Sequence, residues 1–254
     1  MIPKIVHYVW VGPSPFPQDA QQRVETWRRL LPDYQFMFWH EGTIDFTPRF
    51  IQQAYGVGAY NRVANYARFA ALERFGGIYM DHDVELLKPF GPMLNDGFFA
   101  GFQTLDGEAT DIVNTAIMGS EPGHPLAQRM LAALDTMNGA DEVGSGTGPG
   151  LFSRLLREQG TPVPKTEPYD FQGVRLYPPR YFYPYEGFED FDDPRVANPD
   201  RLGFTESRTG GARAELSTDA LGFANWTTVA AWRTLDYDFS NDLDGTDAAT
   251  NRAN

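Results

Sequence analysis

An α/β domain with a sheet that is at least partly parallel is predicted by three features of the chain. Residues Lys4–Gly12 (KIVHYVWVG) are β-branched and aromatic, the next segment repeats apolar side chains at helical spacing, and Tyr34–His40 (YQFMFWH) is again strand-like. Such a β-α-β order calls for parallel pairing. A second helical pattern, Tyr60–Phe75, stops at Gly76-Gly77 and leads directly into Ile78-Tyr79-Met80, a short apolar strand closed by Asp81-His82-Asp83. With 254 residues, 42% hydrophobic and 22% charged, the chain can bury a sizeable core within one domain.

The first strand terminates at the turn signal Gly12-Pro13. The first helix spans Asp19 to Leu31, with Val24, Trp27, Leu30 and Leu31 on one face, and Pro32 ends it. In the helix Tyr60–Phe75, Val63, Tyr66, Ala67, Ala70 and Ala71 make a broad apolar face. Further strands are expected at Glu85–Leu87, Phe98–Phe102 and Ile112–Met118, and further helices at Pro125–Met137 and Gly150–Gln159. Tyr177–Phe191 mixes Pro with Tyr and Phe, which suits an ordered aromatic loop. From about Asp236 the residues become small and polar, as in a flexible tail. Neither an internal repeat nor a dividing linker is visible.

Several function classes drop out. The chain has no cysteine, which excludes disulfides and thiolate metal sites and fits a cytoplasmic setting. A net charge of −13, without a basic stripe, argues against a nucleic-acid partner. The N-terminal apolar run is too short and interrupted for a signal peptide or membrane span, so at most peripheral membrane contact is expected. No Ser-His-Asp or zinc spacing emerges, and Gly144–Gly150 lacks the Lys-Ser/Thr of a phosphate loop. Among the histidines, His7 fits a satisfied core position, and His82 points away from the aspartates if strand alternation persists.

The chemistry-bearing feature is Asp81-His82-Asp83. Two carboxylates delivered to a sheet edge by a buried strand suit a hard divalent cation. Asn65 and Arg68 lie three residues apart on the preceding helix and share a face. A guanidinium there suits phosphates held by the same metal, and it is equally suited to pair with the aspartates.

Ala64-Asn65-Tyr66-Ala67-Arg68-Phe69, the block Gly76–Glu85 and Leu87-Lys88-Pro89 together resemble the sugar-donor block of glycosyltransferase family 32. That family includes capsule and lipopolysaccharide transferases and fungal mannosyltransferases, and is related to clostridial glucosylating toxins. The opening residues Ile2–Gly12, the segment Gly119–Pro125 and Thr147-Gly148-Pro149 are similar to its other motifs, in order. The resemblance implies a GT-A fold, a Rossmann-like mixed sheet flanked by helices, occupying residues 1–235, with 236–254 as the tail. It implies a nucleotide-sugar donor and a Mn2+ or Mg2+ cofactor. Trp10, with Val9, would lie against the nucleobase, although a plain core role also suits a tryptophan there. Asp81 would face the ribose and a metal-bound water, and Asp83 would bind the metal. Arg68 and Asn65 would face the sugar, and Tyr79 the diphosphate edge. Asn114 would reach the sugar or acceptor, or else cap a turn.

Two positions depart from the family pattern. Asn65 stands where members usually carry aspartate; it still accepts a hydrogen bond but has lost the charge. Ala224-Asn225-Trp226 matches a C-terminal motif that is commonly His-Trp, and the Asn225 amide oxygen is an acceptable hard-metal ligand. The implied activity is retaining transfer of a hexose from a UDP-sugar, or a GDP-sugar, to a glycan, lipid-linked saccharide or protein hydroxyl. The alternative, motivated by Asn65 and Asn225, is a weakly active or non-catalytic nucleotide-sugar or glycan-binding protein on the same fold. A phosphotransferase with an aspartate nucleophile ranks lower, because Asp83 is followed by Val84-Glu85 and not by Gly-Thr.

Overall fold

A computed structural model describes residues 1–103, 110–141 and 146–183 in full, and the backbone alone of 104–105, 108–109, 205–218 and 226–239. The elements in chain order are β1 (Ile5–Val9), α1 (Gln18–Leu30), β2 (Gln35–Trp39), α2 (Arg49–Gly56), α3 (Tyr60–Phe75) and β3 (Gly77–Met80), then a 3-10 turn at Gly91–Asn95. There follow β4 (Phe98–Leu105), β5 (Glu108–Ser120), α4 (Pro125–Asp135), α5 (Pro149–Arg157), β6 (Tyr169–Phe171), β7 (Val174–Tyr177), a 3-10 turn at Pro179–Tyr181, β8 (Thr205–Thr218) and β9 (Trp226–Phe239). Among the described residues, no helix is long and apolar enough to cross a membrane.

Seven strands form one mixed sheet in the order β2-β1-β3-β5-β4-β7-β6, and β8 pairs with β9 in a separate antiparallel ribbon. The predicted parallel start is present: β1 pairs in parallel with both β2 and β3. The sheet becomes mixed because β5 inserts antiparallel between β3 and β4. Alternation along the strands feeds two cores. Val9, Tyr79, Phe98 and Met118 face the layer of α3, α4 and α5, while Tyr8, Ile78, Met80 and Phe99 face α1 and the Phe90–Leu94 segment.

The Gly76-Gly77 link is set by close approach. Gly76 (φ 62°) closes α3 with its N–H bonded to the Leu72 carbonyl, and Gly77 follows at φ 97°. A Cβ on Gly77 would lie 2.6 Å from the Ile5 carbonyl oxygen, so only glycine lets β3 leave the helix and pair at once with β1.

Four expectations need adjustment. Glu85–Leu87 is not a strand, because Asp81–Val84 forms a turn (Val84 N to Asp81 O, 3.1 Å) and the Trp27 indole N–H holds the Val84 carbonyl at 3.0 Å. Phe98–Phe102 and Ile112–Met118 are the centres of longer strands, joined in a bulged hairpin. The aromatic segment contributes Tyr177, the last residue of β7, and a 3-10 turn at Pro179–Tyr181, is described as far as Tyr183, and beyond that lies outside the described residues. Strand β9 continues through Asp236 to Phe239; residues 240–254 lie outside the described residues.

Candidate active site

The site lies at the carboxyl ends of β1 and β3, where open α/β sheets commonly bind ligands. Asp81 N–H extends the sheet ladder by bonding the Ala116 carbonyl at 2.9 Å, which fixes the first carboxylate as firmly as a strand residue. Its side chain, like that of Tyr79, projects toward α3. There Asp81 Oδ1 accepts from the Tyr79 hydroxyl at 2.5 Å and pairs with Arg68 Nη2 at 3.2 Å. Arg68 Nη1 donates to both the carbonyl and the hydroxyl of Thr115, at 2.9 and 3.1 Å, and the guanidinium lies over the Tyr79 ring, 4.6 Å from its centroid. Arg68 is 1% exposed and Asp81 3%, so charge and countercharge are both withdrawn from water. Burial pushes the Tyr79 hydroxyl well above its ordinary pKa and keeps it a donor. Of the two roles open to Arg68 in the sequence, pairing with an aspartate is the one this geometry displays.

Asp83 differs. It lies in the turn beyond β3, half-buried, and no cation is within ion-pair reach of it among the described residues. Desolvation pushes its carboxyl pKa up, against the opposing fields of His82, Arg23 and Arg68. A partly desolvated carboxylate with no ion-pair partner among the described residues fits a hard divalent cation, which could draw its remaining oxygens from a diphosphate. Among the described residues no third His, Asp or Glu joins this pair in a metal-binding cluster. Asn225, the expected third ligand, lies outside the described residues.

The other expected residues distribute around this corner. Asn65 is buried on α3, and its amide donates to the Thr147 hydroxyl at 3.2 Å, so the Thr147-Gly148-Pro149 motif packs directly on the Asn65–Arg68 helix face. Gly148 keeps this contact close: a Cβ would come within 3.2 Å of the Asn65 amide, which would have to give by a few tenths of an ångström. Trp10 is buried against Phe16 and His82, and its indole N–H donates to the Ser14 carbonyl at 2.9 Å. The Val9 side chain belongs to the core beside Tyr79. Asn114 is engaged within its own hairpin: its oxygen accepts from Ala116 N–H at 2.8 Å and its amide donates to Gln103 at 3.0 Å, the turn-capping option.

His7 is satisfied on both sides, with Nε2 on the Gly76 carbonyl at 2.7 Å and Nδ1 accepting from the Trp39 indole at 3.1 Å. Burial depresses its pKa to about 4. His124 is itself the N-cap of α4, accepting from Leu126 N–H. One contributor was missed in the sequence. Thr115 is a fully buried hydroxyl within β5, and a polar residue between the apolar neighbours Val113 and Ile117 was its only signal. Tyr183, from the aromatic segment, accepts the Ile117 N–H at 3.2 Å and so packs beside the end of β3, since Ile117 pairs with Met80.

Comparison with known proteins bears on part of the same region. Residues 17–99 match the family described as "Glycosyltransferase sugar-binding region containing DXD motif". An uncharacterized glycosyltransferase of Acanthamoeba polyphaga mimivirus is 28% identical over 202 residues, covering 76% of this chain and 78% of that protein. Inositol phosphoceramide mannosyltransferase 1 of Schizosaccharomyces pombe is 29% identical over 110 residues, 39% of this chain and 33% of the relative. Mannosyl phosphorylinositol ceramide synthase of Saccharomyces cerevisiae is 27% identical over 145 residues, 53% and 35% respectively. The chain thus spans about a third of the length of these fungal relatives. The solved PaToxG glycosyltransferase superposes with a TM-score of 0.51 at 18% identity, over 63% of this chain and 70% of that one. Over residues 17–99 the chain thus carries a region similar to the sugar-binding region of DXD-containing glycosyltransferases, and it has the GT-A fold.

Proposed function

We propose that the protein moves a hexose from a nucleotide-sugar, UDP-linked in preference to GDP-linked, to an acceptor hydroxyl, with retention at the anomeric carbon and with Mn2+ or Mg2+. The observation that carries this reading is the unequal treatment of the two aspartates. Asp81 is tied to Arg68 and Tyr79, whereas Asp83 is half-buried and outside ion-pair reach among the described residues. That division suits one carboxylate that is oriented and one that receives a cation. When bound, the cation would supply Lewis-acid stabilisation of the departing diphosphate. The protein's part is to hold Asp81 and Tyr79 rigid beneath the donor, to offer Asp83 and Asn225 as oxygen ligands, and to set Trp10 at the nucleoside end.

No third carboxylate joins the corner among the described residues to act as a nucleophile. Same-face substitution follows as the proposed course, in which the acceptor proton passes to the departing diphosphate while the sugar–oxygen bond forms on the face that the leaving group vacates. The fungal relatives are named as mannosyltransferase and mannosyl phosphorylinositol ceramide synthase, which supports a hexose donor and a glycan or lipid-borne acceptor here; a protein acceptor is the remaining option.

Donor hydrolysis across UDP-glucose, UDP-galactose and GDP-mannose, with Mn2+ or with EDTA, tests the proposal. Turnover of at least one donor, lost in EDTA and in Asp83→Ala, is expected. If no nucleotide-sugar is turned over and none raises the melting temperature with Mn2+, the proposal fails. An inverted product anomer by proton NMR would remove the retaining course alone.

A further inference from the structure

His82 lies between the two aspartates in sequence but on the opposite side of the sheet. Alternation sends Tyr79 and Asp81 toward α3, and Ile78, Met80 and His82 toward α1. The His82 ring is buried against two aromatic rings, with its centroid 5.0 Å from Trp10 at 55° and 6.2 Å from Phe16 at 74°. Neither ring nitrogen has a hydrogen-bond partner among the described residues.

This sets it apart from the other three histidines. Both nitrogens of His7 are engaged, His40 Nδ1 accepts the Gly42 N–H at 3.1 Å, and His124 Nδ1 caps α4. An imidazole buried without partners is destabilising, and buried polar groups in native proteins are overwhelmingly paired. A phenylalanine or leucine would fill the space beside Trp10 and Phe16 without that cost. The nitrogens therefore point to a partner that arrives with a ligand.

Its position indicates which part of the ligand. Trp10 follows the end of β1, His82 lies just beyond the end of the adjacent parallel strand β3, and the next residue is Asp83. A diphosphate anchored at Asp83 leaves the nucleoside to extend over the Trp10 side, where the exposed edge of an otherwise buried indole (8% exposed) meets it. A base lying along Trp10 brings its hydrogen-bonding edge to His82. A neutral imidazole carries one donor and one acceptor, whereas bases differ in the order of donors and acceptors along their edges, so one ring orientation suits some bases and not others.

We propose that His82 is a specificity-determining residue of the donor site, whose ring nitrogen hydrogen-bonds the nucleobase of a nucleoside diphosphate. The inference rests on the nucleotide-sugar reading given above and goes further by naming the side chain that reads the base. Asp81 and Asp83 handle the ribose–diphosphate end, so His82 contributes to the choice of nucleotide and not to holding the metal.

Titration of UDP, GDP, CDP and ADP in the presence of Mn2+, on the native chain and on His82→Phe, is the test. The variant keeps an aromatic ring in the slot and is expected to melt at or above the native temperature. Its affinity for the nucleotide that the native protein prefers should fall roughly tenfold, the scale of one lost hydrogen bond in a dry site, while the weakest nucleotide is bound as before. An equal loss for all four would assign His82 to the ribose or diphosphate and overturn the proposal. Unchanged affinities would make it a packing residue and overturn it equally. If His82→Phe does not fold, His82→Leu carries the same comparison with the same two outcomes. Failure of the native chain to bind any of the four would instead strike at the nucleotide-sugar reading itself, and the His82 assignment would fall with it.

Discussion

The two aspartates should respond oppositely to removal. Asp81→Ala takes away the carboxylate that Arg68 faces at 3.2 Å and leaves a guanidinium, 1% exposed, that still meets Thr115 and the Tyr79 ring. Breaking a buried pair from one side costs about 3–5 kcal/mol, because the stranded charge keeps its desolvation penalty. Total stabilities are about 5–15 kcal/mol, so this is a large share, and in a chain of this size it lowers the melting temperature by roughly 10 °C. Asp83→Ala removes a carboxylate that is desolvated and outside ion-pair reach among the described residues, so the metal-free protein should change by less than about 1 kcal/mol, or gain. On the proposed function, both substitutions should abolish Mn2+-dependent nucleotide binding.

Urea unfolding followed by tryptophan fluorescence, in EDTA, reads the stability difference, and calorimetric titration of UDP with Mn2+ reads the binding. A third protein closes the cycle. Arg68→Met combined with Asp81→Leu removes both charges, and it should be less destabilised than Asp81→Ala alone, since no ion is left unpaired. The reasoning fails if Asp81→Ala and Asp83→Ala lose the same stability, or if the double substitution is the least stable of the set.

Three further outcomes follow from other parts of the molecule. His7 is fully buried and its pKa is depressed to about 4, so between pH 6.5 and 4 the unfolded chain binds a proton that the folded chain refuses. Stability therefore falls as pH drops through this window, by about 1.4 kcal/mol per unit from this group, and the His7 contribution levels off below it. A His7→Gln variant should show a shallower slope in the urea midpoint over the same range, and an unchanged slope would contradict the assignment. Gly77→Ala places a Cβ 2.6 Å from the Ile5 carbonyl oxygen at φ 97°, and should cost about 2 kcal/mol or more by thermal unfolding; a neutral effect would mean that the β1–β3 contact is looser than described. Asn65→Asp keeps its contact with Thr147, because the threonine hydroxyl can turn to donate, so the variant should fold and should change the ratio of hydrolysis rates between donor sugars. An unchanged ratio would remove Asn65 from sugar choice.

The parts of this site that are legible in the sequence are those fixed by local signals. Helix α3, its glycine stop and the strand into Asp81 follow from periodicity, from the need for positive φ and from apolar composition, all within a span of residues 60–83. What is not legible depends on pairing at a distance. Antiparallel insertion of β5 puts Thr115 under Arg68, and nothing near either residue announces it. The β6–β7 hairpin turns through Gln172 and Gly173, both at positive φ, where the usual Asn-Gly signal is weakened by glutamine. Helix α2 is short, and its apolar residues Phe50, Ile51 and Ala54 are too few to establish a period.

The Asp-x-Asp motif joins the two kinds of information. Its carboxylates are visible as a pair in the sequence, but strand alternation makes them unequal partners. Asp81 inherits the face of Tyr79 and is locked by Arg68, His82 inherits the face of Met80 and meets Trp10, and Asp83 lies in the turn after the ladder ends. On the roles proposed above, one strand end would separate three tasks among consecutive residues. The carboxylate that would be held fixed is in the sheet, the ring that would read the base is on the other side of it, and the half-buried carboxylate that would take the cation is where the backbone leaves the sheet. The division follows from a period of two running out at a turn.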